Sequence, residues 1–180
     1  KNDIKVSFRE RVHPNDGQII EAKDFVRATG NKSLSWQAVD HLGQSEAGVL
    51  ALPQGHAATT FEDKVTISYD LSQPYDGNAI IKIKLSPTLD TYGRGGIRIG
   101  VSVDERPPET LSFDLHPSGG AYLTEEEKAW AAAVVTNEYT LKWNVENLKK
   151  GSHTVTIYRI DDNVVLENIH VSFSKQSKSE

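Results

Sequence analysis

The sequence predicts an all-β protein, an antiparallel β-sandwich (jelly-roll) that carries one short helix. Three observations support this fold class. Apolar and polar residues alternate along many short segments, which is typical of strands that bury one face. Turn-forming sequences such as QPYDGN, YGRGG, DERPPE, HPSGG and KKGS separate these segments. The chain has 180 residues, enough for one core and too few for two ordinary domains.

Six stretches of the chain carry the alternation most clearly. They are residues 4–8, 65–71, 79–85, 97–103, 141–145 and 169–173. Because short turns join such strands and no regular series of helices separates them, we expect two packed antiparallel sheets. A parallel sheet would need strands that alternate with helices.

One segment, LTEEEKAWAAAVV, breaks the period of two. Thr124 is followed three residues later by Glu127, the arrangement of a capping box, and good helix formers come next. This pattern predicts a helix over residues 124–131. The β-branched residues Val134 and Val135 then predict a return to strand.

The domain organisation predicted from these patterns is simple. Residues 1–16 form a lead-in segment or strand, residues 17–173 form the sandwich module, and residues 174–180 form a polar tail. The chain begins with Lys1 and contains no Met, so we interpret it as part of a longer or processed protein.

Composition excludes several classes of partner. The net charge is -5 and the isoelectric point is about 5.7, so no basic surplus exists to neutralise the phosphates of nucleic acid or of an anionic membrane. No apolar run approaches the roughly 20 residues of a membrane span. The chain has no Cys, which rules out disulfides and thiol chemistry.

The sequence contains no recognisable catalytic constellation. Its six histidines form neither an H-x-H nor an H-E-x-x-H pair, and it has no G-x-S-x-G elbow and no P-loop. Carboxylates are plentiful, but their spacing does not single out a glycosidase-like pair. We therefore expect no enzymatic activity from this chain alone.

The ordered landmarks of the chain point to a family. They are IIEAKDF, SWQAVDHLGQSEAGVLALP, VTISYDL, LSPTLD, IRIGVSVDERPP and GSHTVTIYRIDDNVVLENIHV. In this order they resemble the C-terminal β-sandwich module of family 115 glycoside hydrolases, the xylan α-glucuronidases. The resemblance covers about residues 17–173 and lies in the order of the landmarks, since no single motif is specific.

This resemblance implies a fold and a role. Such a module is similar to the jelly-roll sandwiches of family 6 and family 35 carbohydrate-binding modules. It would be the non-catalytic accessory domain of an exported enzyme, periplasmic or secreted, whose upstream catalytic domain removes glucuronic acid branches from xylan. Its implied partners are that catalytic domain, a second copy in a homodimer, and xylan or a uronic-acid-bearing oligosaccharide. The alternatives are a free-standing carbohydrate-binding module and an enzyme in its own right.

The resemblance also bears on Glu21, a carboxylate inside an apolar stretch. Related sandwiches bind a structural calcium with acids of an E-A-E strand and of the last strand, which Glu21 and Glu167 match here. Lys23 stands where the second acid would be, and a cation there removes an oxygen ligand and adds repulsion. We therefore expect no cofactor. If the strand continues, Lys23 and Glu21 share one face and form a salt bridge in place of the ion.

Sandwiches of this kind bind sugars in end loops or on a concave sheet face. The outward strand positions here are mostly Ser, Lys, Arg and Asp, which disfavours an aromatic stacking platform. The loops offer better candidates, which are Trp36, Asp40, His41, Asp90, Tyr92 and Arg94. Arg94 would pair bidentately with a uronate carboxylate. The alternative is that Trp36 packs under its own loop and Arg94 is a solvated turn residue.

Overall fold

The computed structural model describes residues 17–31, 33–91, 93, 95–115 and 125–175. Its strands are β1 (Gln18–Glu21), β2 (Arg27–Thr29), β3 (Ser35–Asp40), β4 (Ala47–Leu52), β5 (Thr66–Gln73), β6 (Gly77–Leu85), β7 (Ile97–Val103), β8 (Glu109–Phe113), β9 (Tyr139–Leu148), β10 (Gly151–Arg159) and β11 (Val165–Lys175). One α-helix, α1 (Glu125–Thr136), precedes β9. The predicted lead-in segment and residues 176–180 of the predicted tail lie outside the described residues.

The strands form two sheets. The larger sheet has the order β3-β4-β11-β6-β9, and β1 also pairs with β11. The smaller sheet has the order β2-β5-β10-β7-β8. Every described pair of neighbouring strands is antiparallel. The predicted antiparallel β-sandwich is therefore confirmed.

The core lies between the two sheets and follows the predicted alternation. Ile81 and Ile83 of the larger sheet and Ile67 and Ile157 of the smaller sheet are each no more than 1% exposed. Burial of one such side chain contributes about 1.5–3 kcal/mol relative to leaving it in water. Along β6 and β10 these buried residues alternate with more exposed ones that point outward, so each sheet has one apolar face and one polar face.

The chain leaves the larger sheet after β1 through a single turn of 3-10 helix, Ala22–Asp24. Ala22 is completely buried, and its carbonyl accepts a hydrogen bond of 3.0 Å from the hydroxyl of Tyr69. Burial, with a smaller effect from the nearby carboxylate of Asp24, raises the pKa of the Tyr69 hydroxyl. Tyr69 on the smaller sheet thus fixes the point where the chain turns.

The predicted helix exists but is longer than expected. It continues through Val134 and Val135, and the predicted return to strand there is wrong. The preceding alanines favour continuation of the helix, and Asn137 stops it by adopting a left-handed conformation with φ of 51°. The N–H of Glu138 then closes the end by donating to the carbonyl of Ala133 at 3.0 Å. Thr124 of the predicted capping box lies outside the described residues.

None of the helices within the described residues has the length and apolar character needed to cross a membrane.

Candidate functional site

Glu167 is a buried acid and, with Glu21, one of the two residues matched to calcium ligands in the sequence analysis. It lies at a β-bulge, where the pairing of β11 with β6 shifts register between Leu166 and Asn168. A bulge changes the direction in which a side chain points, and Glu167 is only 3% exposed. Its carboxylate contacts the turn between β3 and β4 and the first residue after β6.

The carboxylate of Glu167 is surrounded by hydrogen-bond donors. Oε2 accepts from the N–H groups of Gln44 at 3.2 Å and Ser45 at 3.1 Å, and from the Ser45 hydroxyl at 2.7 Å. The Ser86 hydroxyl donates to Oε1. Burial alone would raise the pKa of Glu167, but these hydrogen bonds outweigh it and lower that pKa below its usual range. Glu167 is thus an ionised acid that fastens the β3–β4 turn to the sheet.

The backbone of this turn requires a glycine beside the carboxylate. Gly43 has φ of 82°, a conformation that costs other residues free energy. A Cβ atom built at Gly43 would lie 1.7 Å from Oε1 of Glu167. The turn therefore approaches Glu167 as closely as it does because residue 43 has no side chain.

Glu21 and Lys23 do not form the predicted salt bridge. The strand ends at Glu21, and residues 22–24 turn into the 3-10 helix, so the two side chains do not share a strand face. Lys23 pairs with Glu46 of the β3–β4 turn instead. Partial burial, with the nearby carboxylate of Asp24, raises the pKa of Glu21, and Lys23 opposes the shift.

This arrangement does not fit a calcium ion. Calcium takes 6–8 oxygen ligands, whereas the Glu167 carboxylate already accepts four hydrogen bonds and the ammonium of Lys23 contacts Glu46. No group of three or more histidine and acidic side chains in the described part of the chain is placed to hold a metal ion. The match of Glu21 and Glu167 to calcium ligands is thus a likeness of position only.

Trp36 lies in a strand and not in a loop, which corrects its prediction as a loop residue. It belongs to β3, is 3% exposed, and its indole N–H donates to the carbonyl of Val65 at 3.3 Å. A ring buried in this way offers no face to a sugar. The alternative was that Trp36 packs under its own loop; Trp36 is buried, but it packs from strand β3 into the core and not under a loop.

The other predicted sugar-binding residues lie in two different surroundings. Asp40 and His41 are exposed at the β3–β4 turn, where the His41 N–H donates to the carbonyl of Glu46 at 2.9 Å. Asp90 lies after β6 and accepts a hydrogen bond of 3.0 Å from the Gly96 N–H. Tyr92 and Arg94 lie outside the described residues, so their assignment remains a prediction.

Asp90 borders a small cleft at one end of the sandwich. The other residues that line it come from three loops and from the first residue of β7, and include His56, Thr91, Asp161, Asp162 and Asn163. Asp161 is held by Arg98, whose Nε lies 2.7 Å from Oδ2 and whose Nη2 lies 2.9 Å from Oδ1. This bidentate pair fixes one wall of the cleft to β7.

The base of the same region is fastened by Arg159, which is 1% exposed. Its guanidinium donates to the carbonyls of His56 at 2.9 Å and Ala57 at 2.6 Å, and lies 3.7 Å from Asp162. Asp162 also accepts a hydrogen bond from the Gly55 N–H. The loop between β4 and β5 is thus held by a buried charge from β10.

Sequence reasoning did not single out Arg159, Asp161 or Asp162. One indication was present in the sequence, because Val155, Ile157 and Arg159 occupy alternate positions of one short segment and would share a face if that segment were a strand. A cation at an inward position must be paired or hydrogen-bonded. Asp162, three residues further on, supplies part of that pairing.

Structural comparison finds several carbohydrate-active proteins with this fold. A family GH115 4-O-methyl-α-glucuronidase with specificity for decorated arabinogalactans, BtGH115A, superposes with a TM-score of 0.64 and 14% identity over 92% of this chain. The chain spans 18% of that enzyme. A family 35 carbohydrate-binding module from Clostridium thermocellum gives a TM-score of 0.55 and 14% identity, and covers 86% of this chain and 98% of that module.

A third neighbour is the Podospora anserina GH26-CBM35 β-(1,4)-mannanase, with a TM-score of 0.56, 13% identity, and coverage of 91% of this chain and 29% of that one. At such identities the likeness shows the fold alone. No curated protein matches the chain. The family model of the glycosyl hydrolase family 115 C-terminal domain matches residues 14–180. The chain therefore belongs to the glycosyl hydrolase family 115 C-terminal domain family.

Proposed function

We propose that this chain is the non-catalytic C-terminal accessory domain of a xylan α-1,2-glucuronidase. The observation that carries the proposal is the family match over residues 14–180. The chain spans only 18% of the superposed GH115 enzyme, which leaves room for a separate catalytic domain in a parent chain. The domain would support that catalytic domain or a dimer of the parent enzyme, bind glucuronoxylan, and work in the periplasm or the medium.

The state of the buried acids supports a non-catalytic role. A catalytic carboxyl must reach the substrate and exchange a proton or form a bond with it. Glu167 instead accepts four hydrogen bonds from its own loops, and Asp161 is held bidentately by Arg98. Groups engaged in this way stabilise loops and are poorly placed to act as acid or nucleophile.

The polysaccharide of the parent enzyme has two candidates. The family resemblance favours glucuronoxylan, whereas the GH115 neighbour is described as specific for decorated arabinogalactans. A parent enzyme assayed on both polysaccharides would distinguish them. The accessory role proposed for this domain applies to either substrate.

The test compares a family 115 enzyme carrying this domain with the same enzyme truncated before it. We expect the truncated enzyme to lose activity on the polysaccharide, or to lose its dimeric state in light scattering, while the isolated domain releases no glucuronic acid from aldouronic acids. Full polysaccharide activity and an unchanged oligomeric state after truncation would contradict the accessory role. Turnover by the isolated domain would contradict its non-catalytic character.

A free-standing carbohydrate-binding module is the second candidate. The likeness to the isolated family 35 module, of which 98% is covered, favours it because such a fold needs no attached catalytic domain. Affinity distinguishes the two: a free-standing module binds polysaccharide by itself and does not affect the turnover of an enzyme added separately.

A further inference from the structure

The outward face of the larger sheet carries a row of basic residues on adjacent strands. Ile19 of β1 is the register partner of His170 of β11, His170 is the partner of Lys82 of β6, and Lys82 is the partner of Lys142 of β9. We call His170, Lys82 and Lys142 the basic strip. Neighbouring strands lie about 4.8 Å apart, so the strip and Ile19 together span roughly 15 Å.

The basic strip faces away from the core. Ile81 and Ile83, which flank Lys82 in sequence, are each no more than 1% exposed, whereas Lys82 and Lys142 are exposed and His170 is half-buried. The strand alternation therefore directs the side chains of the strip outward. Their terminal nitrogen atoms are accessible on the sheet surface.

The two lysines of the strip have no carboxylate partner in the described part of the chain. Like charges directly opposite each other on paired strands destabilise a sheet, yet Lys82 and Lys142 are direct partners. In the next row of the sheet, Nζ of Lys84 lies 2.8 Å from the carboxylate of Glu138. Asn168 of β11 is the register partner of Lys84 on one side and of Glu21 of β1 on the other. Neither Lys82 nor Lys142 has an ion pair within the described residues, although the whole chain has a net charge of -5. Sheet stability does not account for this pair.

We propose that the basic strip binds the uronate carboxylates of an acidic polysaccharide. This proposal rests on the proposed function, in which the parent enzyme acts on a glucuronate-bearing chain. Two ammonium groups side by side attract a carboxylate, and the half-buried imidazole of His170 can donate a hydrogen bond to it. Ile19, 53% exposed at the end of the row, offers an apolar contact to a sugar ring.

The composition of this face favours charge over stacking as the means of recognition. A neutral-sugar platform presents outward aromatic rings, whereas the strip and the rows on either side of it contain no aromatic residue. Those flanking rows consist of Glu21, Asn168, Lys84, Thr140, Ser172, Ile80 and Asn144. The strip is therefore suited to an acidic polysaccharide and not to its neutral backbone.

The test uses the 180-residue chain, whose own two sheets enclose its core, and affinity electrophoresis in gels of glucuronoxylan and of the same polysaccharide after carboxyl reduction. We expect retention by the unreduced polysaccharide only, weakened by added salt. The double variant Lys82→Gln with Lys142→Gln should bind about tenfold more weakly, since exposed ion pairs are individually modest.

The matched control is Lys149→Gln with Lys150→Gln, which removes the same charge from the β9–β10 turn and should change affinity less than about twofold. Equal retention by reduced and unreduced gels, equal loss in both double variants, or no retention of the unmodified chain would overturn the proposal. Tighter binding to an unrelated polyanion, such as a sulfated glycan, would overturn it as well. In each case the truncation experiment still decides the accessory role independently.

Discussion

Strand β10 is fastened to neighbouring loops at both ends by a charged side chain, but the two ends use different chemistry. At its C-terminal end Arg159 is 1% exposed and carries a permanent charge. Near its N-terminal end His153 has an 11% exposed side chain and lies 2.7 Å from Oδ2 of Asp104 and 2.7 Å from the carbonyl of Lys149. One end is therefore insensitive to pH, whereas the other responds to it.

The difference follows from the groups that each side chain meets. Both ring nitrogens of His153 face acceptors, so the doubly protonated imidazolium satisfies both contacts. Burial would lower the pKa of His153, but the hydrogen bonds to Asp104 and Lys149 outweigh it and raise that pKa. Burial would likewise raise the pKa of Asp104, but the bond to His153 outweighs it and lowers that pKa.

The largest expected effect is the loss of the permanent charge. Arg159→Met leaves two carbonyl groups without their donor and Asp162 without its nearest cation. We expect the free energy of unfolding to fall by about 3–5 kcal/mol, equally at about pH 5.5 and about pH 8.5, because breaking a buried pair leaves an uncompensated charge. Urea unfolding at the two pH values measures it.

The matched control is Arg27→Met, the same substitution at an exposed position of the edge strand β2. A change below about 0.5 kcal/mol is expected there. A loss of similar size in both variants would show that the cost at Arg159 comes from lost side-chain length and not from the buried contacts.

Glu167 extends the comparison to an acid that fastens a loop. Glu167→Gln keeps the shape but directs an amide at some of the hydrogen-bond donors, and we expect a loss of about 2 kcal/mol near pH 7. The folded-state pKa of Glu167 is lowered. The extra stability of the native protein over Glu167→Gln is therefore fully present above the unfolded-state pKa of about 4.3, and it is lost as pH falls through the folded-state pKa.

Urea unfolding from neutral to acidic pH checks the prediction, with Glu146→Gln on the exposed side of β9 as control. A constant difference between Glu167→Gln and the native protein at every pH would contradict an ionised Glu167.

A smaller, pH-dependent effect is expected for His153→Gln. The raised pKa of His153 means that its contribution is fully present below about 6.5 and is lost as pH rises through the folded-state value, while that of Asp104 is lost as pH falls below its lowered pKa. The pair therefore contributes most between about pH 4 and 6.5. Since Asp104 is 43% exposed, we expect only about 0.5–1 kcal/mol after allowing for solvent screening.

His170→Gln provides a comparison of opposite sign. Partial burial, with the nearby ammonium of Lys84, lowers the pKa of His170. Its protonation therefore disfavours the folded state as pH falls, and the variant should gain stability relative to the native protein on acidification. Thermal unfolding of both variants at about pH 5.5 and about pH 8.5 tests the pair. If lowering the pH changes the melting temperature of both variants, each relative to the native protein, in the same direction, the stabilising role of protonated His153 is refuted.

The sequence predicted β5, β6, β7, β9 and β11 well, because apolar and polar residues alternate cleanly along each of them. It missed the β3–β4 hairpin for a physical reason. Residues 47–51 of β4 are all buried, so the segment AGVLAL shows no period of two. Trp36 was consequently assigned to a loop, although its strand places it in the core.

The candidate site was harder to predict because its contacts join distant parts of the chain. The family resemblance pointed to Glu167 as a match to a calcium ligand, but its hydrogen-bond partners Ser45 and Ser86 lie 122 and 81 residues away in the chain. Lys23 was paired with Glu21 on the assumption that the strand continued, and a local 3-10 turn changed its partner. Contacts that depend on loop geometry do not appear as a sequence period.

The smallest expected effect is that of chelation. A ligand that binds only the folded state stabilises it by RT ln(1 + [L]/Kd), so a calcium site filled at about 100 Kd would lose about 2.7 kcal/mol when EDTA is added. Since the Glu167 carboxylate is occupied by hydrogen bonds and Lys23 holds Glu46, we expect the melting temperature to change by less than about 1 °C with EDTA or with added calcium.

Lys23→Glu is the informative partner variant, because it replaces the ammonium with a carboxylate beside Glu21 and Glu46. If calcium raises the melting temperature of Lys23→Glu alone, Lys23 is what excludes the ion. If calcium also stabilises the native chain, the loops around Glu167 must rearrange to admit the ion. The contacts of Glu167 would then depend on solution conditions, as those of His153 do, and would not be fixed like those of Arg159.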